Sequence, residues 1–148
     1  MARTVVIGAK AVERKLARLG RDAPRILARG TYEAAETIMT AAKEGTPVDT
    51  GNLRASGHVQ PANLSAALTP TGPQFVLGFG GPAGAGSVRG DSNAKPVGYA
   101  VWVHESGPRA GGVGRRKFLE KAIQENERNV VTIIAKHADR EIKRRGAA

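Results

Sequence analysis

The chain has 148 residues, the length of one domain, and carries 23 Lys and Arg against 13 Asp and Glu, a formal net charge of +10. The strong hydrophobes (8 Leu, 7 Ile, 13 Val and 3 Phe) total only 31 residues, so the expected core is thin. The absence of cysteine excludes disulfide frameworks and thiolate metal sites, and the apolar runs are too short for a membrane span. We expect one domain over residues 1–148, made in the cytoplasm, whose thin core favours an oligomer.

The positive charge is concentrated towards the two ends of the chain. Residues 1–60 carry 10 basic and 6 acidic side chains (+4), residues 61–110 carry 3 and 2 (+1), and residues 111–148 carry 10 and 5 (+5). Most of these charges fall on the polar faces of predicted helices, where a solvated surface is the ordinary interpretation. Attraction to a polyanion is the alternative.

The first twenty residues predict a short strand and a helix. Thr4–Ile7 is a β-branched run, which favours a strand. Apolar residues then recur at helical spacing, namely Val12, Leu16 and Leu19. They predict a helix over Ala9–Leu19, which Gly20 should end because glycine readily takes the left-handed conformation found after a helix.

A second, longer helix is predicted over residues 22–43. Asp22 can cap it, and Pro24 is tolerated in its first turn. Its buried stripe consists of Ile26, Leu27, Ala34, Ile38, Met39 and Ala42. Gly30 weakens a helix by about 1 kcal/mol relative to alanine, so it indicates either close packing or a break between two helices. We favour one long helix.

Glycine, proline and small polar residues punctuate the middle of the chain and separate three predicted strands. The strands are Ser56–Gln60, Gln74–Phe79 and Tyr99–His104, of which the last has the strongest β content. Together they predict a small antiparallel sheet. The Gly- and Pro-rich segment 80–98 predicts a flexible loop that becomes ordered against a partner.

Helical spacing returns at Lys117 and predicts a long C-terminal helix. Its apolar stripe consists of Leu119, Ile123, Val130 and Ile134. Lys143, Arg144 and Arg145 suit the negative end of this helix, and Gly146 suits its cap. The predicted fold class is α+β, with N-terminal helices including one long helix, a small antiparallel sheet and a long C-terminal helix.

The sequence lacks the residue patterns of common enzymes and of metal or cofactor sites. His104 and Glu105 begin like a zinc-protease motif, but Pro108 occupies the position of the second histidine. The segment Gly78–Pro82 lacks the lysine and the following helix of a phosphate-binding loop. We therefore expect neither catalysis nor a bound cofactor or metal.

Nucleic-acid binding is the main alternative that the charge leaves open. Two basic clusters could contact phosphates, and they consist of Arg115, Arg116 and Lys117, and of Lys143, Arg144 and Arg145. The sequence contains no helix-turn-helix spacing, zinc finger or aromatic ribonucleoprotein motif, which argues against specific base recognition. The alternative function is thus a basic nucleic-acid-binding accessory protein.

Three ordered motifs give a resemblance to a known family. They are a Pro-Val-Asp-Thr-Gly-x-Leu-x-x-Ser turn, a Tyr-Ala-x-x-Val-His-Glu-x-Gly segment, and a Phe-Leu pair that opens the C-terminal helix. The matching residues are Pro47, Asp49, Thr50, Gly51, Leu53 and Ser56; Tyr99, Ala100, Val103, His104, Glu105 and Gly107; and Phe118, Leu119 and Ala122. Over about residues 5–135, the chain resembles the neck family of tailed double-stranded DNA bacteriophages, whose members are described as head–tail joining, tail-completion or minor capsid proteins.

The resemblance implies a structural virion protein that forms a ring in the neck, through which the genome passes. A ring of six or twelve copies would join a head-completion or portal-side protein to a tail-terminator or tail-tube protein. The basic residues would then contact genomic DNA without sequence preference, or neighbouring subunits. We expect Asp49, Thr50 and Glu105 to act as caps and turn locks. The chain departs from the family at Arg116 and Lys117, where relatives often have proline.

Overall fold

The computed structural model describes residues 9–48, 51–63, 72–80, 100–108 and 112–146. In chain order, its elements are helix α1 (Ala9–Gly45), helix α2 (Asn52–Ala55), strand β1 (His58–Asn63), strand β2 (Gln74–Gly78), helix α3 (Ala100–Ser106) and helix α4 (Phe118–Gly146). The α+β class, the small antiparallel sheet and the long C-terminal helix are confirmed. The predicted strand Thr4–Ile7 and nearly all of the predicted loop at 80–98 lie outside the described residues.

The prediction that a first helix ends at Gly20 is wrong, because α1 is a single helix of 37 residues that continues through Gly20 and Pro24. Glycine ends a helix when it takes a positive φ, and Gly20 is not among the residues that do. Alanine, leucine and arginine, which are all strong helix formers, flank this point on both sides. The chain therefore stays helical across it.

Replacing Gly20 with alanine should stabilise the protein. A Cβ at this exposed position would meet no atom within 4 Å, so the substitution adds no clash. It removes the entropy cost of a glycine inside a helix, and we expect the free energy of unfolding to rise by about 0.5–1 kcal/mol in urea denaturation. Gly30→Ala is the matched control, because its Cβ would lie 3.3 Å from the Cα of Ile134 and should forfeit this gain. Equal stabilisation by both substitutions would contradict the prediction.

Helices α1 and α4 run antiparallel and pack closely at Gly30. This glycine is buried, and a Cβ on it would lie 3.3 Å from the Cα of Ile134 and 3.4 Å from the Cβ of His137. The interpretation of Gly30 as a point of close packing within one long helix is confirmed.

An ion-pair group on the rim of this interface links the two helices. The Glu33 carboxylate lies 2.9 Å from Nδ1 of His137 and accepts hydrogen bonds of 3.0 Å from Arg140. The hydrogen bonds from His137 and then from Arg140 hold the pKa of Glu33 below its usual range. Further towards the end of α4, Arg145 binds Asp22. These two contacts fix the register of the helix pair.

The core lies between the helix pair and the sheet and is built largely from small residues. Among the described residues, the buried apolar side chains are Ile26, Ala34, Ala35, Ile38, Met39, Ala42, Leu53, Phe118 and Ala122. Four of these nine are alanine, which lets the helices approach closely but buries little apolar surface per residue. Leu77 and Phe79, in and just after β2, pack against Ile38, Ala42 and Ala122.

The sheet has two antiparallel strands, with His58 opposite Gly78 and Pro61 opposite Phe75. The first two predicted strands are thus confirmed, although β1 begins two residues later and ends three residues later than the predicted Ser56–Gln60. The third, Tyr99–His104, is wrong, because residues 100–106 form α3 and Tyr99 lies outside the described residues. Burial in this segment follows a helical period: Val103 is half-buried, whereas Val101 is 74% exposed. The contacts that α3 makes with the rest of the protein outweigh its local β propensity.

Candidate interaction site

The three sequence motifs meet in one apolar cluster at the end of the helix pair. Leu53 of the first motif and Phe118 of the third are buried against each other, with 4% and 1% of their surfaces exposed. The other members of this motif cluster are Phe79, Ala100, Val103 and Leu119. Segments that are far apart in the sequence thus form one packing unit.

Phe118 is the centre of the motif cluster. Its ring makes edge-on contacts with the rings of Phe79 and His104, in both cases with centroids 5.0 Å apart. This geometry is favourable because the positive edge of one ring meets the negative face of the other. One turn further along α4, Ala122 is fully buried against Ile38 and Ala42. The third motif therefore anchors α4 to α1 and to the end of β2.

The first motif begins at Pro47, between α1 and α2, and includes α2. Thr46 is fully buried, and its hydroxyl donates to the Ala42 carbonyl at 2.8 Å. Gly114 lies so close to Pro47 that a Cβ on it would fall 2.4 Å from the Pro47 Cα. Gly51 precedes α2 with a left-handed φ of 80°. Leu53 lies in this helical turn, as predicted.

Two residues of the first motif, Asp49 and Thr50, lie outside the described residues, so their expected capping roles stay predictions. Nothing in the sequence indicated that Gly114, more than sixty positions from Pro47, packs against the first motif. Close approach of two backbone segments leaves no local signal except the glycine itself.

Ser56 ties the first motif to the sheet. It is buried, its hydroxyl donates to the Leu53 carbonyl at 2.7 Å, and the same oxygen accepts the Gly80 backbone N–H at 3.0 Å. The Gly80 N–H needs this acceptor because both residues are buried. A small hydroxyl residue at position 56 thus closes the junction between α2 and the end of β2.

Replacing Ser56 with alanine should lower the free energy of unfolding by about 1–3 kcal/mol, because the buried Gly80 N–H then loses its acceptor. Urea denaturation measures the change. Ser106→Ala is a matched control at an exposed position on α3 and should change stability by less than about 0.5 kcal/mol. Equal effects of the two substitutions would show that the Ser56 hydroxyl contributes no more to stability than an exposed serine hydroxyl does.

The second motif forms α3 and the turn after it. Gly107 ends the helix with a left-handed φ of 80°, and its N–H donates to the Val103 carbonyl at 2.9 Å. Glu105 lies 3.1 Å from Nδ1 of His104 at the surface. The His104 carbonyl accepts the N–H of Lys117 at 2.7 Å, which joins α3 to the start of α4.

The departure from the family pattern at Lys117 has a structural basis. Lys117 has a φ of 52°, the only positive φ of a non-glycine residue in the described ranges. Proline is restricted to a φ near −65° and has no N–H to donate to His104. A proline therefore does not fit this position in the conformation that the chain adopts.

Five of the six basic residues that were predicted to contact DNA or neighbouring rings have carboxylate partners within the chain. Arg115 forms two hydrogen bonds to Glu125, at 2.6 and 2.9 Å, which hold the pKa of Glu125 below its usual range. Lys117 pairs with Glu120 at 3.0 Å. At the end of α4, the pairs are Lys143 with Asp139, Arg144 with Glu141, and Arg145 with Asp22. Contact of these residues with DNA or with a neighbouring ring stays a prediction.

Helix α1 extends well beyond the end of its partner helix. Because Arg145, next to the last residue of α4, binds Asp22, residues 9–21 of α1 continue past α4, and we call them the α1 extension. Val12 and Leu16 in this extension are 59% and 62% exposed. The apolar stripe that packs against α4 therefore continues along α1 where no described residue covers it.

A second apolar surface lies on α3. Val101 and Trp102 are 74% and 59% exposed, and we call this pair the α3 patch. It lies at the end of the molecule where α1 finishes, because α3 packs on Phe118 and Phe118 lies beside Gly45. At 1.5 Å per residue, the α3 patch and Val12 are separated by about 50 Å along α1.

The described residues show neither a membrane-crossing helix nor a metal site. No helix in these ranges is both long and apolar enough to cross a membrane. Within the same ranges, no group of three or more histidine or acidic side chains is placed to hold a metal ion. The features that stand out are the motif cluster, the two apolar surfaces and the distribution of basic side chains.

The chain matches a protein-family model. The family model described as "Bacteriophage HK97-gp10, putative tail-component" matches residues 10–104, more than half of the chain. The match covers nearly all of α1, the first motif and the second motif as far as His104. Comparisons with curated proteins and with solved structures returned no significant match. The matched family is one of structural tail components, which implies a non-enzymatic role. The chain therefore belongs to the HK97 gp10-like family of bacteriophage tail components, in agreement with the resemblance in its sequence.

Proposed function

We propose that this tail component is a ring-forming subunit of the phage neck that joins the DNA-filled head to the tail. It would assemble as six or twelve copies between a head-completion or portal-side protein and a tail-terminator or tail-tube protein. Its place in the virion would be the neck. Membership of a phage tail-component family supports the general role, and the surface of the chain supports the ring.

The observation that carries the ring proposal is the pair of apolar surfaces at opposite ends of the molecule. The α1 extension exposes Val12 and Leu16, and the α3 patch exposes Val101 and Trp102. Two different surfaces on each subunit allow a heterologous contact, in which one end of a copy binds the other end of the next. Repetition of such a contact closes into a ring when the rotation between neighbours permits. A contact between identical surfaces would stop at a dimer.

The composition of the core also supports assembly of the subunits into a ring. With four alanines among nine buried apolar residues, the described part of the chain gains little stability from its own interior. Burial of the exposed valine, leucine and tryptophan side chains against a neighbour would stabilise each subunit further, because it removes more apolar surface from water.

The heterologous contact can be tested with two charge-introducing variants. Leu16→Glu alters the α1 extension, and Val101→Glu alters the α3 patch. We expect the wild-type chain to form rings by light scattering and negative-stain microscopy, and each variant alone to be monomeric. Mixing the two variants should produce dimers but no rings, because each pair retains one intact combination of surfaces.

Val131→Glu is the matched control, since Val131 is 72% exposed on α4 and belongs to neither surface. It should leave ring formation intact. A monomeric wild-type chain at high concentration, or variants that form rings as the wild type does, would contradict the proposal.

The role in joining head and tail needs the phage. Phage that carry Leu16→Glu should yield lysates with filled heads and free tails but few joined particles in electron micrographs. Phage with Val131→Glu should look normal. Normal joined particles with Leu16→Glu, from a variant shown to be monomeric in solution, would assign the protein to a different step of tail assembly.

A further inference from the structure

Six basic residues form a continuous row along the first half of α1. They lie at intervals of three or four residues, a spacing that places them on one face of a helix, and they are Lys10, Arg14, Arg18, Arg21, Arg25 and Arg29. All six are exposed. The row, which we call the basic ridge, is about 28 Å long at the rise of an α-helix. The ridge runs along one side of the α1 extension and continues beyond it towards Gly30.

The basic ridge differs from the two basic clusters at 115–117 and 143–145, in which five of six residues have carboxylate partners, because it is not neutralised within the described part of the chain. The ion pairs that lysine and arginine form there all use residues of the segment 115–145. No ridge residue has a carboxylate partner among the described residues. Asp22 borders the ridge, but Arg145 binds it. Like charges four residues apart repel each other, so the ridge is unfavourable unless an external anion compensates it.

We propose that the basic ridge binds the phosphate backbone of duplex DNA without sequence preference. Five of its six residues are arginine, whose planar guanidinium matches phosphate oxygens in a bidentate geometry. The uncharged residues between them on this face are alanines, Ala11 and Ala28, so the face lacks the apolar centre of a protein interface. A straight row of cations fits a linear polyanion better than a patch of mixed residues.

The ridge and the apolar stripe can act together because they lie on opposite sides of α1. Val12 and Leu16 occupy the side that continues the α4 interface, whereas the six basic residues point away from it. DNA binding is a property of a single chain in this proposal and does not require the ring. A failure of ring assembly and a failure of DNA binding are therefore separate results.

The test is a fluorescence-anisotropy titration of the full chain against a labelled 30-base-pair duplex between 50 and 200 mM salt. With up to six phosphate contacts, the slope of log K against log salt should be about −5, and affinity should fall about 10³-fold over this range. Two duplexes of unrelated sequence should bind equally. The triple variant Arg14→Gln, Arg18→Gln, Arg25→Gln should reduce the slope by about 3 and the affinity at 50 mM by at least about tenfold.

The matched control removes three charges from the other predicted basic clusters, by Arg116→Gln, Lys143→Gln and Arg144→Gln. Its salt slope should change by less than about 1. A second triple variant, Arg14→Lys, Arg18→Lys, Arg25→Lys, keeps the charge and should retain the wild-type slope. Circular dichroism with a thermal melt confirms that each variant is folded before titration.

Three results would overturn the proposal. The first is that the wild-type chain does not bind duplex DNA at 50 mM salt. The second is that the control variant loses as much affinity and as much salt slope as the ridge variant. In the third, poly-L-glutamate of equal charge would compete more strongly than unlabelled duplex, which would assign the ridge to an acidic protein surface.

Discussion

Replacing Phe118 with alanine should lower the free energy of unfolding by about 3–5 kcal/mol, the range measured when a buried phenylalanine is truncated in a well-packed core. Only 1% of its surface is exposed, and it contacts Leu53, Phe79 and His104. Its loss would remove the side chain on which all three motifs pack. Urea denaturation monitored by circular dichroism measures the change.

Trp102→Ala is the matched control, because it also truncates a large aromatic side chain beside the motif cluster. Trp102 is 59% exposed, so its replacement should cost less than about 1 kcal/mol in the monomer. If Trp102→Ala were the more damaging of the two, the helical assignment of residues 100–106 would be wrong, because a strand would place this tryptophan in the core.

Replacing Gly114 with alanine should destabilise the protein by about 3–5 kcal/mol through backbone strain and two lost hydrogen bonds. Gly114 has a φ of 120°, and a Cβ there would lie 2.4 Å from the Cα and 2.5 Å from the nitrogen of Pro47. The segment would have to move away from Pro47. That movement would break the bonds from Val48 N–H to Val113 and from Arg115 N–H to Gly45, which are 3.2 and 2.9 Å long.

Gly51→Ala separates the two contributions to this effect. Gly51 also has a positive φ, of 80°, but a Cβ there would meet no atom within 4 Å. It should cost only about 1–2 kcal/mol, the penalty of a left-handed conformation alone. Similar losses at both positions in thermal and urea denaturation would show that the approach of Gly114 to Pro47 is not what makes glycine necessary there.

The motif residues show how far the sequence could predict the site. The ordered motifs identified the family, and the structure brings Leu53, Val103 and Phe118 together. Phe79 and Gly114 were not predicted as members of the junction. Both act through contacts with segments distant in the sequence, and a single sequence carries no signal for such pairs.

The sequence by itself determined the fold class, the bounds of α4 and the presence of the two strands of the sheet, because apolar periodicity and turn residues act locally. Only the tertiary structure decided that residues 100–106 are helical, since packing on Phe118 outweighs the β propensity of valine and tryptophan. It also decided which basic residues are neutralised: the Arg145 partner Asp22 lies 123 residues away in the sequence. The unbroken course of α1 through Gly20 places Arg21, Arg25 and Arg29 in line with Lys10, Arg14 and Arg18. A helix that ended at Gly20 would have divided this row, because the second half would then be free to point elsewhere.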